Sequence, residues 1–326
     1  TTRDEDSWMD KFETYFSDHL VGREDWVRAR NEMEKLAGKK EINGVYTIDD
    51  QMIQAFKTYD KSDVESSLNA MNRFAETHPD IQVSFMMAPT VQELYTSKIP
   101  SYAGYLSEKT FIDECYKKMN GISTVDCLSY LTGHSSEYVF YRTDHHWTTL
   151  GAYYAYAQLM QQLGQEPVAL SGLDGRTVEN FYGTYFSKAK KFDAQADTIT
   201  YYEIPDAGVT IDGKEQDGYY DFSKFEVRDK YAAFLRGNNG YTVIKSGVRT
   251  VEEGQEPSRI LIIKDSYANS FAPFLLCNYD EVHIVDLRYL AGSLSQLINE
   301  GGFDEILLMY NFSNLVTDTN LYKLGY

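Results

Sequence analysis

The chain is short of cysteine, proline, positive charge and long apolar runs, and each shortage removes a class of protein. Cys115, Cys127 and Cys277 are the three cysteines in 326 residues. With no CxxC among them they furnish neither a zinc site nor a disulfide framework. An isolated buried cysteine behaves as a small hydrophobe; pairing of Cys115 with Cys127 across a short loop stays open for an oxidising compartment. Seven prolines and 43% hydrophobic residues fit neither a collagen-like nor a disordered chain. Lys and Arg number 31 against 49 Asp and Glu, a formal net charge of −18. Without a basic cluster there is no footprint for phosphate neutralisation, which argues against nucleic acid and anionic membrane surfaces as partners. A bilayer span takes about 20 apolar residues, whereas the purest runs, 260–263 and 306–310, are strand-sized. The chain is not expected to span a membrane.

What is present is the patterning of a packed protein, long enough for one large domain or two. Trp8, Phe12, Tyr15 and Phe16, then Trp26, Ala29, Met33 and Leu36, keep helical spacing until Gly38, which predicts an N-terminal helical extension over 1–40. Residues 41–326 read as an α/β domain. A strand is expected over 44–48, a helix over 61–76, a buried strand over 81–87, and helices over 107–119 and 148–163. From about 165 to 246 the texture turns to Gly, Asp and Tyr, with short β-like pieces at 198–204, 208–211 and 241–244; this reads as an inserted loop-rich lobe. Beyond it, apolar strands at 259–263, 281–285 and 305–310 are separated by helical pieces at 271–277 and 294–299. That alternation predicts a parallel sheet with helices on both faces.

Two segments hold residues with chemistry. Tyr141-Arg142-Thr143-Asp144-His145-His146-Trp147-Thr148 precedes the strongest helix. A carboxylate two residues from an imidazole can accept a proton from one ring nitrogen, fix the tautomer and leave the other as a base. In Lys264-Asp265-Ser266-Tyr267-Ala268 a buried strand ends and a serine stands where a helix begins. Open α/β sheets place ligands at that edge, and N–H groups there can face an oxyanion. A serine after a strand is most often a helix cap and an Asp-x-His most often a turn; their conjunction is what suggests nucleophilic catalysis.

Thr143 to Thr148 resembles the signature of the bacterial DHHW protein family. Lys264 to Phe271, followed by Asp286-Leu287-Arg288-Tyr289, resembles its C-terminal motifs; Asn43 to Tyr46 and Phe181 to Thr184 fit as well. That family is similar, more remotely, to the alginate O-acetyltransferase proteins with an SGNH-hydrolase-like (flavodoxin-like) fold. The resemblance implies Ser266 as nucleophile, His146 as general base and Asp144 as its orienter, with His145 at the variable position. Ser266 follows the Asp-x-His segment, which implies a circularly permuted motif order, tolerable because a triad is a matter of geometry. It also implies a carbohydrate O-acetyltransferase or acetylesterase without a cofactor, acting outside the cytoplasm on a cell-envelope or extracellular polysaccharide, with a membrane-bound O-acyltransferase partner supplying acetyl groups. The chain opens at Thr1 without an initiator Met, so an upstream signal or anchor is expected.

For oxyanion or substrate binding the candidates are Asn311, at the end of the third apolar strand, then Asn238, Arg288 and Tyr267. Their plainer alternatives are a turn, a surface ion pair and core packing. The 27 tyrosines are compatible with a sugar-binding surface, since aromatic faces stack on sugar C–H patches. Two rivals stand beside this reading. One is a metal-dependent hydrolase with Asp144, His145 and His146 as ligands, which lacks a further well-spaced ligand among His19, His78, His134 and His283. The other is a glycan-binding or scaffold protein that keeps an esterase-like fold without activity.

Overall fold

A short antiparallel meander leads into the domain: β1 (Glu41–Ile42), β2 (Val45–Ile48) and β3 (Gln51–Gln54). The structure, a computed structural model, describes residues 41–191 and 193–325 together with Met33. The helical extension expected over 1–40 therefore lies outside the described residues, apart from Met33. Next comes α1 (Lys61–Thr77), whose start is capped by the Asp60 side chain accepting the Ser62 and Asp63 N–H groups. Its Val64, Leu68, Met71 and Phe74 recur at helical spacing and are buried.

The chain continues through β4 (Gln82–Ala88), α2 (Val91–Leu94), α3 (Glu108–Lys117), β5 (Ser123–Val125), α4 (Cys127–Gly133), α5 (Thr149–Gln162), β6 (Gly175–Phe181), α6 (Thr184–Ala189) and β7 (Asp197–Tyr202). Then follow β8 (Asp206–Ile211), β9 (Lys214–Gln216), β10 (Tyr241–Ser246), β11 (Arg259–Lys264), β12 (Glu281–Val285), α7 (Leu294–Gly301), β13 (Glu305–Asn311) and α8 (Phe312–Leu315). The elements expected from periodicity are found, their ends displaced by a residue or two. The 271–277 piece is a 3-10 helix, Ala272–Cys277.

Eight strands form the central sheet in the order β5-β4-β13-β11-β12-β10-β8-β9. The first five run parallel, while β10, β8 and β9 add antiparallel pairs beyond β12. The expectation of a parallel sheet is corrected here to a mixed one. At the outer edge the reason is local: β8 and β9 are joined through Asp212-Gly213, both at positive φ, and so tight a turn can return the chain only antiparallel. The segment expected as an inserted loop-rich lobe is thus partly built into the sheet. Its β6 and β7 form a separate two-stranded sheet.

Alternation along the parallel strands sends side chains into two cores. Ile260, Ile262, Leu307 and Met309 enter one core with Ala155, Tyr156 and Leu159 of α5; Leu261, Ile263, Ile306 and Leu308 enter the other with Leu68 and Met71 of α1 and Ile298 of α7. Both faces of the sheet are therefore covered by helices. Cys127 belongs to the first core and Cys115 to the second, and all three thiols are free. Among the described residues no helix is long and apolar enough to cross a membrane.

Candidate active site

The parallel strands end together at one edge of the sheet. β11 ends at Lys264, and Asp265 caps the 3-10 turn Ser266–Asn269 by accepting the Tyr267 N–H at 2.9 Å. Its other oxygen accepts the Asn311 N–H at 2.7 Å and the Asn314 side-chain amide at 2.8 Å. One buried carboxylate thus pins the turn that carries Ser266 to the end of β13. Burial raises the pKa of Asp265, against the donors facing it.

The loop before α5 approaches from the other core. Phe140 and Trp147 form an antiparallel bridge, and the Tyr141 N–H reaches the His146 carbonyl at 3.3 Å. At its tip Asp144 and His146 are 2% and 5% exposed. Asp144 Oδ1 lies 2.6 Å from His146 Nδ1 and accepts the His146 backbone N–H at 3.0 Å. On the far side of the ring, His146 Nε2 is 2.8 Å from Ser266 Oγ. With Nδ1–H donating to the carboxylate, Nε2 is left to accept from the serine hydroxyl.

Distant pieces of chain hold this loop. Asp197, fully buried at the start of β7, accepts the Arg142 N–H at 2.8 Å, the Thr143 N–H at 2.8 Å, the Thr143 hydroxyl at 2.6 Å and the Tyr138 hydroxyl. The Thr184 N–H donates to Asp144 Oδ2 at 2.7 Å, and the Gly183 N–H to Thr143 Oγ1 at 3.0 Å. Gly183 is so close that a Cβ there would lie 2.2 Å from Asp144 Oδ2. Two hydrogen bonds tie the loop to the serine turn: Trp147 Nε1–H to the Tyr267 carbonyl at 3.0 Å, and the Tyr267 hydroxyl to the His145 carbonyl.

The electrostatics suit a neutral base beside an anion. Burial, with His145 alongside, pushes His146 down to about 4 in spite of Asp144. For Asp144, burial works against the charge, but the two imidazoles and their hydrogen bonds outweigh it and hold the carboxyl well below its usual range. Asp144, His145 and His146 place donor atoms within 4.8 Å of one another, the ligand set of the metal rival. Both Asp144 oxygens accept N–H hydrogen bonds and His146 Nε2 faces the serine.

The remaining candidates separate. Asn311 is fully buried at the α8 N-cap: its Nδ2 donates to the Ala88 and Pro89 carbonyls and its Oδ1 accepts from Ser313. The expectation of an oxyanion donor there is corrected, because the amide has no hydrogen left to give. Tyr267 is fully buried and packs against Trp147; it joins the two segments through its hydroxyl and its carbonyl. Arg288 is held bidentate by Asp286, at 2.8 and 2.6 Å. Asn238 differs. Its Oδ1 accepts from Lys264 Nζ at 2.8 Å and from Asn269 Nδ2 at 3.1 Å, and its own amide hydrogens have no partner among the described residues. Lys264 is buried against Asp286, and burial lowers it to about 8. Sequence reasoning missed Asp197 and Tyr231, whose ring lies on His146. Neither sits in a motif, and only the crowding of Tyr in that stretch hinted at the second.

Fold and site define a mixed α/β protein with a Ser–His–Asp hydrogen-bonded relay at the C-terminal edge of its parallel strands. The sequence profile of the DHHW protein family matches residues 44–285, and the chain belongs to that family. Among solved structures it is similar to a DHHW family protein from Eubacterium siraeum, 24% identical, covering 87% of this chain and 96% of that one with a TM-score of 0.75. Bacillus cereus PatB1 is 19% identical over 86% of this chain and 99% of its own, with a TM-score of 0.72, and is also known with a sulfonyl adduct. A more distant likeness, 13% identical and with a TM-score of 0.49, is to the O-acetyltransferase domain of Pseudomonas putida AlgJ, covering 84% of this chain and 93% of that one. No curated protein matches the chain.

Proposed function

We propose that the chain is a serine-dependent carbohydrate O-acetyltransferase or acetylesterase that works through an acyl-enzyme on Ser266. The observation that carries this reading is the placement of His146 between Asp144 at 2.6 Å and Ser266 Oγ at 2.8 Å. Ser266 Oγ gives its proton to His146 Nε2 as it attacks the acyl carbonyl; Asp144 orients the imidazole and balances the charge that forms on it. The tetrahedral oxyanion is met by the Ser266 backbone N–H and by the Asn238 amide, whose carbonyl end is drawn back by Lys264 and Asn269. Collapse expels the donor's alcohol, which takes the proton back from His146. A sugar hydroxyl or water then repeats the sequence in reverse, and the degree of water exclusion sets transfer against hydrolysis.

In this reading the domain is SGNH-hydrolase-like with a permuted order of motifs. Supporting it, Ser266 comes after His146 in the chain yet stands at the end of a parallel strand beside β12 and β13. The protein acts outside the cytoplasm on a polysaccharide, with acetyl groups supplied by a membrane-bound acyltransferase. The test is intact-protein mass spectrometry after p-nitrophenyl acetate, on the native chain and on Ser266→Ala, His146→Ala and Asp144→Asn. One added acetyl group or catalysed nitrophenol release, lost in Ser266→Ala, is the expected result. An unchanged acetyl-transfer rate in Ser266→Ala overturns the proposal. A native chain that neither acetylates nor releases nitrophenol, and that an aryl sulfonyl fluoride also leaves unmodified, overturns it equally and points to glycan binding without catalysis.

A further inference from the structure

The imidazole of His146 is flanked by two rings. On one face His145 lies with its centroid at 3.8 Å, tilted by 40°. On the other, Tyr231 is stacked at 3.7 Å with only 11° between the planes. Tyr231 comes from the 3-10 segment Lys230–Arg236, inside the stretch whose function the motifs do not touch, and it is 4% exposed. Its hydroxyl is 3.1 Å from the Ser266 carbonyl oxygen and 3.1 Å from Ser270 Oγ. Since the carbonyl can only accept, Tyr231 donates to Ser266 and accepts from Ser270. A single side chain therefore touches the plane of the base and the backbone of the nucleophile.

We propose that Tyr231 is a positioning residue that holds the His146 ring and the Ser266 turn in register for proton transfer. The inference rests on the reading of Ser266 as nucleophile. Two physical effects follow from its place. The ring limits rotation of the imidazole, so Nε2 stays aimed at Oγ; an error of about 1 Å in such an alignment is worth on the order of 10²-fold in rate. The same face is presented to the imidazolium that forms when Ser266 gives up its proton, and a tyrosine face attracts a cation, an attraction stronger in the transition state than in the resting site. The hydroxyl acts separately, by anchoring the carbonyl that starts the serine turn.

The two parts of the residue can be tested apart with the full chain and phenylmethylsulfonyl fluoride as probe. Attack of Ser266 Oγ on its sulfur forms the Oγ–S bond and breaks S–F, fluoride leaves, and the hydroxyl proton passes to His146. The rate of Ser266 modification is followed from pH 4 to 9 in the native chain, Tyr231→Phe, Tyr231→Ala and Ser266→Ala, with the His146 imidazole titrated by NMR. Tyr231→Phe keeps the ring and is expected to slow labelling about threefold, with the acid limb unmoved. Tyr231→Ala opens the ring face to water and is expected to slow labelling by roughly tenfold or more. Its acid limb and imidazole titration should move up from about 4 toward the ordinary 6.5, because water regained at the ring face outweighs the lost attraction between the tyrosine ring and the imidazolium. Should Tyr231→Ala fail to fold, Tyr231→Leu, which removes the ring but fills part of its space, takes its place: native labelling rates in it and in Tyr231→Phe overturn the inference. Native rate and native acid limb in both variants also overturn it while leaving the nucleophile in place. If the native chain is not labelled at Ser266, the reading beneath the inference falls, and the inference with it.

Discussion

Ser266 and His146 meet at 2.8 Å, but they arrive on different scaffolds. Ser266 stands one residue past Asp265 at the end of a buried strand, and its turn is secured by the neighbouring strand end through Asp265, Asn311 and Asn314. Those contacts come with the parallel sheet itself. His146 sits in a loop outside the sheets, closed by the Phe140–Trp147 bridge and the Tyr141 N–H to His146 carbonyl bond, and takes its shape from Asp197, Gly183, Thr184 and Tyr231. Ser266, the proposed nucleophile, thus inherits its position from secondary structure, whereas His146, the proposed base, depends on tertiary contacts made by a stretch with few regular elements. Changes around the base are therefore expected to affect reactivity more than stability, and changes around the serine turn the reverse.

The sharpest challenge to that contrast is Gly183→Ala. Its Cβ would fall 2.2 Å from Asp144 Oδ2, so the carboxylate must leave its place under the imidazole. Ser266 modification is expected to slow on the order of 10²-fold; a native rate would show that the base tolerates an unanchored Asp144. Next is Asp197→Asn, which turns one of two acceptor oxygens into a donor facing N–H and O–H groups. Stopped-flow labelling should fall roughly thirtyfold, with a stability loss of about 1 kcal/mol. Asp265→Asn makes the matching change on the nucleophile side, where the new amide opposes the Asn311 N–H and the Asn314 amide. Urea unfolding should reveal a loss of about 2 kcal/mol or more, with the surviving folded protein labelled within a few-fold of native. Greater damage to rate than to stability there would erase the distinction.

The acidity of the base gives a smaller but signed effect. His146 takes up a proton near pH 4 when folded and near 6.5 when unfolded, so between these values the unfolded state binds more protons. Its protonation therefore opposes folding: stability rises with pH across this window, and the penalty is complete below it. Labelling of Ser266 should persist down to about pH 5 and halve near 4; a midpoint at 6.5 would mean that water reaches the ring. The smallest change expected is for Arg288→Ala, less than about threefold in rate, because that guanidinium is held bidentate by the buried Asp286 and makes no hydrogen bond to Asp144, His146 or Ser266 among the described residues.

The same contrast explains what could be read in advance. The strands around Ile260–Ile263 and Ile306–Leu308, and the helices at α1, α3 and α5, announce themselves by periods of 2 and 3.6. Asp144, His146 and Ser266 were recognisable because each lies in a short motif next to its own scaffold. Asn311 misled for an equally physical reason: a strand-end Asn looks available until Ala88, Pro89 and Ser313 are seen to consume its amide. The antiparallel edge was signalled by Asp212-Gly213, a turn pair that a closer reading of hairpin chemistry would have used.

By itself the sequence determined the α/β core, the two segments that bear Asp144, His146 and Ser266 and the order in which they occur, since each of these is written in neighbouring residues. Tertiary structure alone decided which donors and acceptors remain free. Asp197 reaches Thr143 across 54 positions and Ser266 reaches His146 across 120, and a polar group's remaining capacity depends on which distant partner folding has brought to it.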